Sequence, residues 1–229
     1  MVALILADGD APDRGFLDAH WPAWSDAIGL VVAADGGARH AESLGVRIDV
    51  WVGDGDSIDA AALAALAESG VEIEHAPPDK DETDTELAIH AALARDAGGV
   101  LLVGATGGAR IDHEFANIAL LATPGLIGKT AIIYTPLSMI RMLRGWVGPH
   151  RQMARMPVLG SVGDTVSIAP FGGDAVGVTT WGLRYPLHDA TLPLGTPRGV
   201  SNVIESSGGQ VALREGLLLV IETPATIDG

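Results

Sequence analysis

Two aspartates lie two positions apart in the segment Gly53-Asp54-Gly55-Asp56-Ser57. Side chains alternate along an extended backbone, so both carboxylates can point the same way. Two carboxylates about 4 Å apart repel by roughly 4 kcal/mol at an effective dielectric constant of 20, and a divalent cation bound between them removes that repulsion. The donors would be oxygens, and the chain has no cysteine, so the chemistry favours Mg²⁺ over zinc. The alternative is a turn in which each carboxylate accepts a backbone N–H.

A second acidic segment, Asp79-Lys80-Asp81-Glu82-Thr83-Asp84, precedes a predicted helix. Asp84 falls in the first helical turn, where the helix dipole stabilises negative charge, but the dipole does not account for the other acids. Lys80 is one of only two lysines in the chain. A lone cation among acids fits a phosphate contact, and a local ion pair is an equal alternative.

A glycine-rich turn, Gly104-Ala105-Thr106-Gly107-Gly108, connects a predicted strand to a predicted helix. Its backbone N–H groups and the helix N-terminus could bind an anion, and Arg110 would add a bidentate donor. Asp112 is expected to cap the helix with its carboxylate. The turn differs from the G-x-G-x-x-G dinucleotide fingerprint, so it indicates an anion site of another kind.

The elements that must position these groups are short apolar runs alternating with helix-like stretches over residues 1–137, which is typical of a mostly parallel sheet. Ala60–Ala67 and Glu86–Ala97 are predicted helices, the second with a capping box formed by Thr83 and Glu86. The predicted strands are Val2–Ala7, Leu30–Ala34, Val50–Val52, Val71–Glu74, Val100–Val103 and Ala131–Tyr134.

Polar residues follow four of these strands, at the carboxyl ends where parallel sheets bind ligands. They are Asp8, Asp35, Asp54 with Asp56, and Thr106. We therefore expect several acids to converge on one crevice.

From about Met139 the pattern changes to short β-rich runs separated by Gly, Pro and Asn or Asp turns, which suits an antiparallel sandwich or barrel. These runs are Thr165–Ala169, Val176–Thr180, Gly199–Ile204 and Leu217–Glu222. We predict a mostly parallel, Rossmann-like α/β domain over residues 1–138, followed by an antiparallel β-sandwich domain over residues 139–229.

The charge balance bears on partners. The chain has 229 residues, with 14 basic and 29 acidic, and a formal net charge of −15. The acidic excess lies in residues 1–137, which argues against a nucleic-acid partner held by a broad basic surface. No apolar stretch approaches the ~20 residues of a membrane helix, and no signal peptide is visible, so we expect no membrane anchor. The lack of cysteine excludes disulfides, thiolate metal sites and cysteine nucleophiles.

Taken together, these motifs resemble those of thiamine pyrophosphokinases. The match includes Ala34-Asp35-Gly36-Gly37-Ala38, the Asp54 and Asp79–Asp84 segments, and Gly107-Gly108-Ala109-Arg110-Ile111-Asp112-His113. In the C-terminal part, Gly182-Leu183-Arg184-Tyr185-Pro186-Leu187 and Gly199-Val200-Ser201-Asn202 look like that family's β-domain signatures. The resemblance spans nearly the whole chain, although Gly145–Gly160 matches none of the signatures.

The resemblance implies transfer of the pyrophosphoryl group of ATP to the hydroxyethyl oxygen of thiamine, giving thiamine diphosphate and AMP. It implies that Mg²⁺ is held by Asp54, Asp56 and Asp84, and that Asp35 lies at the substrate crevice. Either Asp35 or Asp112 would take the hydroxyl proton. The nucleotide side would be lined by Lys80, Asp81, Thr83, Thr106, Gly107, Gly108, Arg110, Asp112 and Asn117.

The same resemblance implies a cytoplasmic homodimer with the thiamine pocket at the subunit interface. Ser201 and Asn202 of the partner subunit would help to close that pocket. Trp181 is a candidate to stack on the thiamine rings, with core packing as the alternative. The competing functions are a pyrophosphokinase for another alcohol such as a hydroxymethylpterin, a non-catalytic thiamine or nucleotide sensor, and a metal-dependent phosphohydrolase.

Overall fold

A computed structural model describes residues 1–77, 79–145 and 153–225 of the chain. The chain forms two compact units, unit 1 (Met1–Pro136) and unit 2 (Leu137–Gly229). Much of the Gly145–Gly160 stretch, which matches no family signature, lies outside the described residues.

Unit 1 contains a six-stranded sheet whose neighbouring strands are all parallel, in the order β4-β3-β2-β1-β5-β6. The chain builds the sheet outward from β1 to one edge and then returns to add β5 on the other side of β1. Such a switch point opens a crevice at the carboxyl ends of the strands. The strands are β1 (Val2–Leu6), β2 (Ile28–Ala34), β3 (Val50–Gly53), β4 (Glu72–His75), β5 (Gly99–Val103) and β6 (Thr130–Tyr134).

The central strands of unit 1 are continuous apolar runs because both faces of the sheet are covered. Nearly every residue of β1 and β5 is buried. The helix α4 packs on β1, β2 and β3, and its small residues Ala88 and Ala92 are wholly buried. Burial on both faces is typical of parallel strands in α/β proteins, and it explains why these strands could be predicted from composition alone.

The helices of unit 1 are α1 (Arg14–His20), α2 (Ala41–Leu44), α3 (Ala60–Glu68), α4 (Asp84–Ala94) and α5 (Ile111–Leu120), with two 3₁₀ turns at Asp35–His40 and Pro124–Leu126. The predicted cap of α4 is present, since Thr83 Oγ1 accepts the Glu86 N–H at 3.2 Å. The helix begins two residues earlier than predicted, because Asp84 and Thr85 already lie inside the capped turn.

Unit 2 is antiparallel throughout the pairs described, in the order β7-β13-β9-β12-β8, with β10 and β11 also pairing with β9. The strands are β7 (Met139–Arg144), β8 (Ala154–Pro157), β9 (Thr165–Trp181), β10 (Ala190–Leu192), β11 (Asn202–Val203), β12 (Gln210–Leu213) and β13 (Glu215–Thr223). The chain is therefore a mixed α/β protein with parallel strands first and antiparallel strands later, as predicted.

The prediction of separate strands at Thr165–Ala169 and Val176–Thr180 was wrong. The two runs belong to one 17-residue strand, β9. Gly172 and Gly177 adopt positive φ values of 69° and 72° within it, so the glycines let the strand bend without leaving the sheet. The predicted strand Gly199–Ile204 is reduced to the two residues of β11.

Of the helices in the described ranges, α4 is the longest at 11 residues. That is about 16 Å, roughly half the thickness of a hydrocarbon core. None of these helices is both long and apolar enough to cross a membrane.

Candidate active site

Unit 1 has a cavity of about 370 Å³ at the carboxyl end of its sheet. Its walls come from the ends of β1, β2 and β5 and from the N-terminal parts of α4 and α5. The lining residues are Asp8, Gly9, Ala34, Asp35, Asp56, Ser57, Thr83, Asp84, Thr85, Gly104, Ala105, Gly107, Gly108, Ala109, Arg110, His113, Glu114 and Asn117. Three of the acids that we expected at the strand ends, Asp8, Asp35 and Asp56, therefore line one cavity.

Asp35 is held in this cavity by its backbone. It starts the 3₁₀ turn directly after β2 with a positive φ of 44°, and only 3% of its surface is exposed. Its carbonyl accepts the Trp51 Nε1–H at 3.0 Å, and its Oδ2 accepts the Ser57 N–H at 3.1 Å. Its Oδ1 is buried without a partner. A buried carboxylate oxygen with no donor is costly, so this atom is a natural ligand for a cation.

The acidity of Asp35 reflects that burial. Desolvation raises its pKa from 3.8 to about 6, although the Ser57 N–H opposes the shift, and nearby Asp56 and Asp84 add to it. The protein therefore holds a carboxylate that gains from a nearby positive charge.

Asp35, Asp54 and Asp56 bring one carboxylate oxygen each within 4.8 Å of one another. Asp54 Oδ1 accepts the Asp56 N–H at 3.1 Å, which leaves Asp54 Oδ2 facing other groups. Asp56 Oδ1 accepts the Ser57 Oγ–H at 2.8 Å, and this contact is the main reason that the pKa of Asp56 is lowered. The turn interpretation of the D-x-D pair therefore accounts for Oδ1 of Asp54, and Oδ2 takes no part in the turn. Three clustered oxygen donors fit a hard divalent cation.

Asp84 approaches this group through Lys80. The Lys80 ammonium donates to Asp84 Oδ1 at 2.7 Å and lies 3.4 Å from Asp54 Oδ2. Burial lowers the pKa of Lys80, but the two carboxylates outweigh it and the pKa is raised overall. Of the two interpretations of Lys80, the structure contains the ion pair.

The glycine-rich turn presents its N–H groups to carboxylates. Gly107 donates to Glu114 Oε2 at 3.1 Å and Gly108 to Asp10 Oδ2 at 3.4 Å. Both glycines have φ near 77°, in the left-handed region that glycine adopts without steric cost. Asn117 is buried and fixes the turn by donating to the Ala105 carbonyl at 2.9 Å.

The prediction that Asp112 caps α5 was wrong. The helix begins at Ile111 with Arg110 at the cap position. Asp112 lies inside the first turn and accepts two hydrogen bonds from the Arg110 guanidinium, at 2.9 and 2.5 Å. Arg110 holds the pKa of Asp112 well below its usual range, so Asp112 is a weak proton acceptor.

Other predicted site residues occupy the surroundings of the cavity. Thr83 and Arg110 line it, and Thr106 is buried in the turn beside it. Asp81 is exposed. Within the described ranges, the lining does not include Asp54, Lys80 or Asp81.

Sequence reasoning gave little weight to the residues that fix the loop after β1. Arg39 pairs with the Asp8 carboxylate and donates to the backbone carbonyls of Asp8 and Gly9. His40 Nε2 contacts the Gly9 carbonyl at 2.9 Å, and burial lowers its pKa. The sequence signal for this loop was the pair of acids, Asp8 and Asp10, directly after β1.

Unit 2 has its own cavity of about 280 Å³. Its lining residues are Ile168, Tyr185, Pro186, Leu187, Arg198, Gly199, Val200 and Asn202. Asn202 makes two hydrogen bonds to the backbone of Tyr185. Its Oδ1 accepts the Tyr185 N–H at 3.0 Å, and its Nδ2 donates to the Tyr185 carbonyl at 2.8 Å. Ser201, with φ of 59°, donates its N–H to Ser167 Oγ at 3.0 Å.

Trp181 lies outside the residues that line this cavity, and the Arg155 guanidinium covers its ring at 4.9 Å from the centroid. Tyr185, which was quoted only as part of a motif, is the aromatic residue at the cavity, and its side chain is largely exposed. Its position before a proline in a loop was the sequence signal.

Gly37→Ala is expected to destabilise the protein by about 1–3 kcal/mol, the usual cost of overpacking. A Cβ at Gly37 would overlap the Leu6 carbonyl, so the turn that carries Asp35 would have to move. Urea unfolding measures the loss. Gly173→Ala is the matched control, because a Cβ there meets no atom within 4 Å. Equal stability of the two variants would contradict the close approach.

Two protein-family models match the chain. A model of the thiamin pyrophosphokinase catalytic domain matches residues 22–133. A model of the thiamin pyrophosphokinase vitamin B1 binding domain matches residues 155–218. The two models fall in unit 1 and unit 2 respectively and together cover most of the chain.

Proteins similar to this chain are named thiamine pyrophosphokinase. A thiamine pyrophosphokinase of Bacillus subtilis (strain 168) is 28% identical over 204 residues, covering 87% of this chain and 90% of the relative. The solved structure of thiamine pyrophosphokinase from Bacillus subtilis has a TM-score of 0.81 at 24% identity, covering 98% of this chain and 99% of that one. The structure from Geobacillus thermodenitrificans has a TM-score of 0.77 at 26% identity, with 97% of each chain covered.

Proposed function

The chain belongs to the thiamin pyrophosphokinase family, and we propose how its residues transfer the pyrophosphoryl group of ATP to the hydroxyethyl oxygen of thiamine, giving thiamine diphosphate and AMP. One observation carries the assignment of the catalytic centre: Asp35, which lines the cavity at the strand ends and has a buried Oδ1 without a partner, brings a carboxylate oxygen within 4.8 Å of oxygens of Asp54 and Asp56. The family matches do not favour a pterin as the acceptor.

We propose that Asp35, Asp54 and Asp56 hold Mg²⁺, with Asp84 joining them. When bound, Mg²⁺ would supply positive charge that neutralises the negative charge developing on the transferred group. The chain's own acids determine where the ion would bind. Asp35 is fixed by the turn after β2, and Asp54 is fixed by the Asp56 N–H. Positioning of this kind supplies most of the catalysis in phosphoryl transfer.

On the nucleotide side, we propose that the phosphates lie against the Gly107–Gly108 turn. Its N–H groups already point at carboxylate oxygens, which have the same hydrogen-bonding character as phosphate oxygens. Thr83, Thr106, Asn117 and Arg110 support this wall, while Lys80 and Asp81 belong to the segment that leads to it. Of the two proton acceptors considered, Asp112 is disfavoured, because Arg110 neutralises it.

We propose that thiamine binds at the cavity of unit 2, with Tyr185 as its aromatic wall and with Ser201 and Asn202 shaping the loop. A cationic thiazolium ring suits the face of an exposed aromatic side chain. The pocket is completed by a second copy of the chain, so the protein is a homodimer. Light scattering at assay concentration tests the dimer, and a monomer with full activity would contradict it.

Two finer features belong to the same proposal. Unit 2 is a β-sandwich, with β9 pairing with β13 through its first half and with β12 through its second. ATP is the co-substrate, so we place the protein in the cytoplasm.

Tyr185→Ala is expected to raise the KM for thiamine about 3- to 30-fold, the range of a cation–π contact, with the KM for ATP unchanged. Initial rates at saturating ATP measure it. Trp181→Ala tests the other aromatic candidate, and we expect less than a twofold effect because Arg155 covers that ring. A larger effect of Trp181→Ala than of Tyr185→Ala would reverse the assignment.

The function itself is tested by product analysis with ATP and Mg²⁺, with thiamine present or omitted. We expect AMP and thiamine diphosphate in equal amounts, formed only when thiamine is present. Release of inorganic phosphate without thiamine would indicate a phosphohydrolase, and binding of thiamine without turnover would indicate a sensor.

A further inference from the structure

Lys80 places a positive charge where the acids of the cluster are still available to a metal. Its ammonium contacts Asp84 Oδ1 at 2.7 Å and Asp54 Oδ2 at 3.4 Å, and only 10% of its side chain is exposed. Asp54 Oδ1 is already used by the Asp56 N–H. The ammonium therefore approaches the one Asp54 oxygen that a metal could take.

We propose that Lys80 is a tethered cation that competes with the divalent metal for Asp54 and Asp84, and that it releases both carboxylates when the metal–nucleotide complex binds. The inference rests on the proposed function of the cluster. It predicts that one side chain, Lys80, lowers the metal affinity of the nucleotide-free site.

The geometry supports exchange over a permanent ion pair. Asp35 Oδ1, 3% exposed as a residue, stays without a partner beside the pair, so Lys80 satisfies part of the cluster and leaves one ligand open. A lysine ammonium is a compact charge on a flexible four-carbon stem, so it can move several ångströms while the backbone stays fixed. Asp84, at the start of α4, does not need to move.

Exchange also reconciles the two interpretations of Lys80. In the ligand-free chain the ammonium is paired with acids, and Lys80 is not among the described residues that line the cavity. Once displaced by the metal, the same ammonium is free to contact the phosphates that arrive with it. Metal and nucleotide then bind cooperatively. The metal neutralises the carboxylates that Lys80 leaves, and the phosphates neutralise the Lys80 ammonium that the metal displaces.

The test is calorimetric titration of the nucleotide-free protein with Mg²⁺ alone. Lys80→Gln is expected to bind Mg²⁺ about tenfold more tightly than the wild type, and Lys80→Arg to bind as the wild type does. Lys129→Gln is the matched control: it removes the other lysine, whose ammonium donates to the Ala97 carbonyl at 2.9 Å. We expect it to leave the affinity within about twofold. Magnesium–ATP should bind Lys80→Gln more weakly than the wild type.

Unchanged or weaker Mg²⁺ binding by Lys80→Gln would overturn the proposal and make Lys80 an orienting group only. Lys80→Met, which keeps most of the buried stem, repeats the comparison if the glutamine variant unfolds, and the same outcomes apply. Failure of both the wild type and Lys80→Gln to bind Mg²⁺, while the wild type still forms AMP, would instead overturn the metal site on which the proposal rests.

Discussion

Asp54→Asn is expected to reduce AMP formation by about 10³-fold while the fold persists. The variant keeps the oxygen that accepts the Asp56 N–H but removes the negative charge that faces Asp35 and Asp56. Charge stabilisation by a bound metal contributes several kcal/mol to the transition state, and each 1.4 kcal/mol is a factor of ten in rate. Steady-state AMP release at saturating thiamine and ATP measures the loss.

Asp59→Asn is the matched control for that variant. Asp59 lies nearby in sequence and caps α3 by accepting the Ala61 N–H, a role that asparagine fills equally well. It makes the same change in net charge outside the cluster, so its turnover should stay near that of the wild type. Equal activity of the two variants would refute the role of Asp54.

Asp35→Asn should have opposite effects on activity and stability. Activity is expected to fall as steeply as in Asp54→Asn, because Asp35 supplies the buried ligand atom. The metal-free protein should become more stable by about 2–3 kcal/mol above pH 7, because asparagine removes a buried carboxylate beside other acids. Asparagine also tolerates the positive φ of this position.

The raised pKa of Asp35 determines how the stability of the protein changes with pH. The folded-state pKa of Asp35, about 6, is raised above its reference value of 3.8, so the folded state binds more protons between these values. The wild type therefore loses stability as pH rises from about 4 to about 6, relative to the variant. Urea unfolding in a chelator at pH 4 and pH 7.5 should show the stability gap only at the higher pH. A gap of the same size at both values would contradict burial as the cause.

The sheet of unit 1 was predictable because most of its strands are apolar runs, and four of them are followed by polar residues at the same edge. That rule alone places Asp8, Asp35 and Asp56 at one cavity. The helix cap at Thr83 was predictable too, because it depends on residues three positions apart.

The finer geometry depends on backbone conformation and on long-range contacts, which spacing does not encode. Asp35 has a positive φ, and one of its carboxylate oxygens lies within 4.8 Å of oxygens of Asp54 and Asp56. The resemblance implied Asp54, Asp56 and Asp84 as the metal ligands, and sequence spacing does not place Asp35 beside them. Asp112 has the residue type of a cap but lies two positions after the cap residue, Arg110. The continuity of β9 was hidden because glycines that usually mark turns here bend a strand.

The central claim is that Asp35, Asp54 and Asp56 bind one hard cation. Crystals grown with Mn²⁺, which shares the oxygen preference of Mg²⁺, give an anomalous signal that locates the ion directly. We expect a peak within about 2.2 Å of one oxygen of each of the three carboxylates, lost in crystals of Asp35→Asn. A peak elsewhere in the cavity, with these carboxylates out of reach, would contradict it.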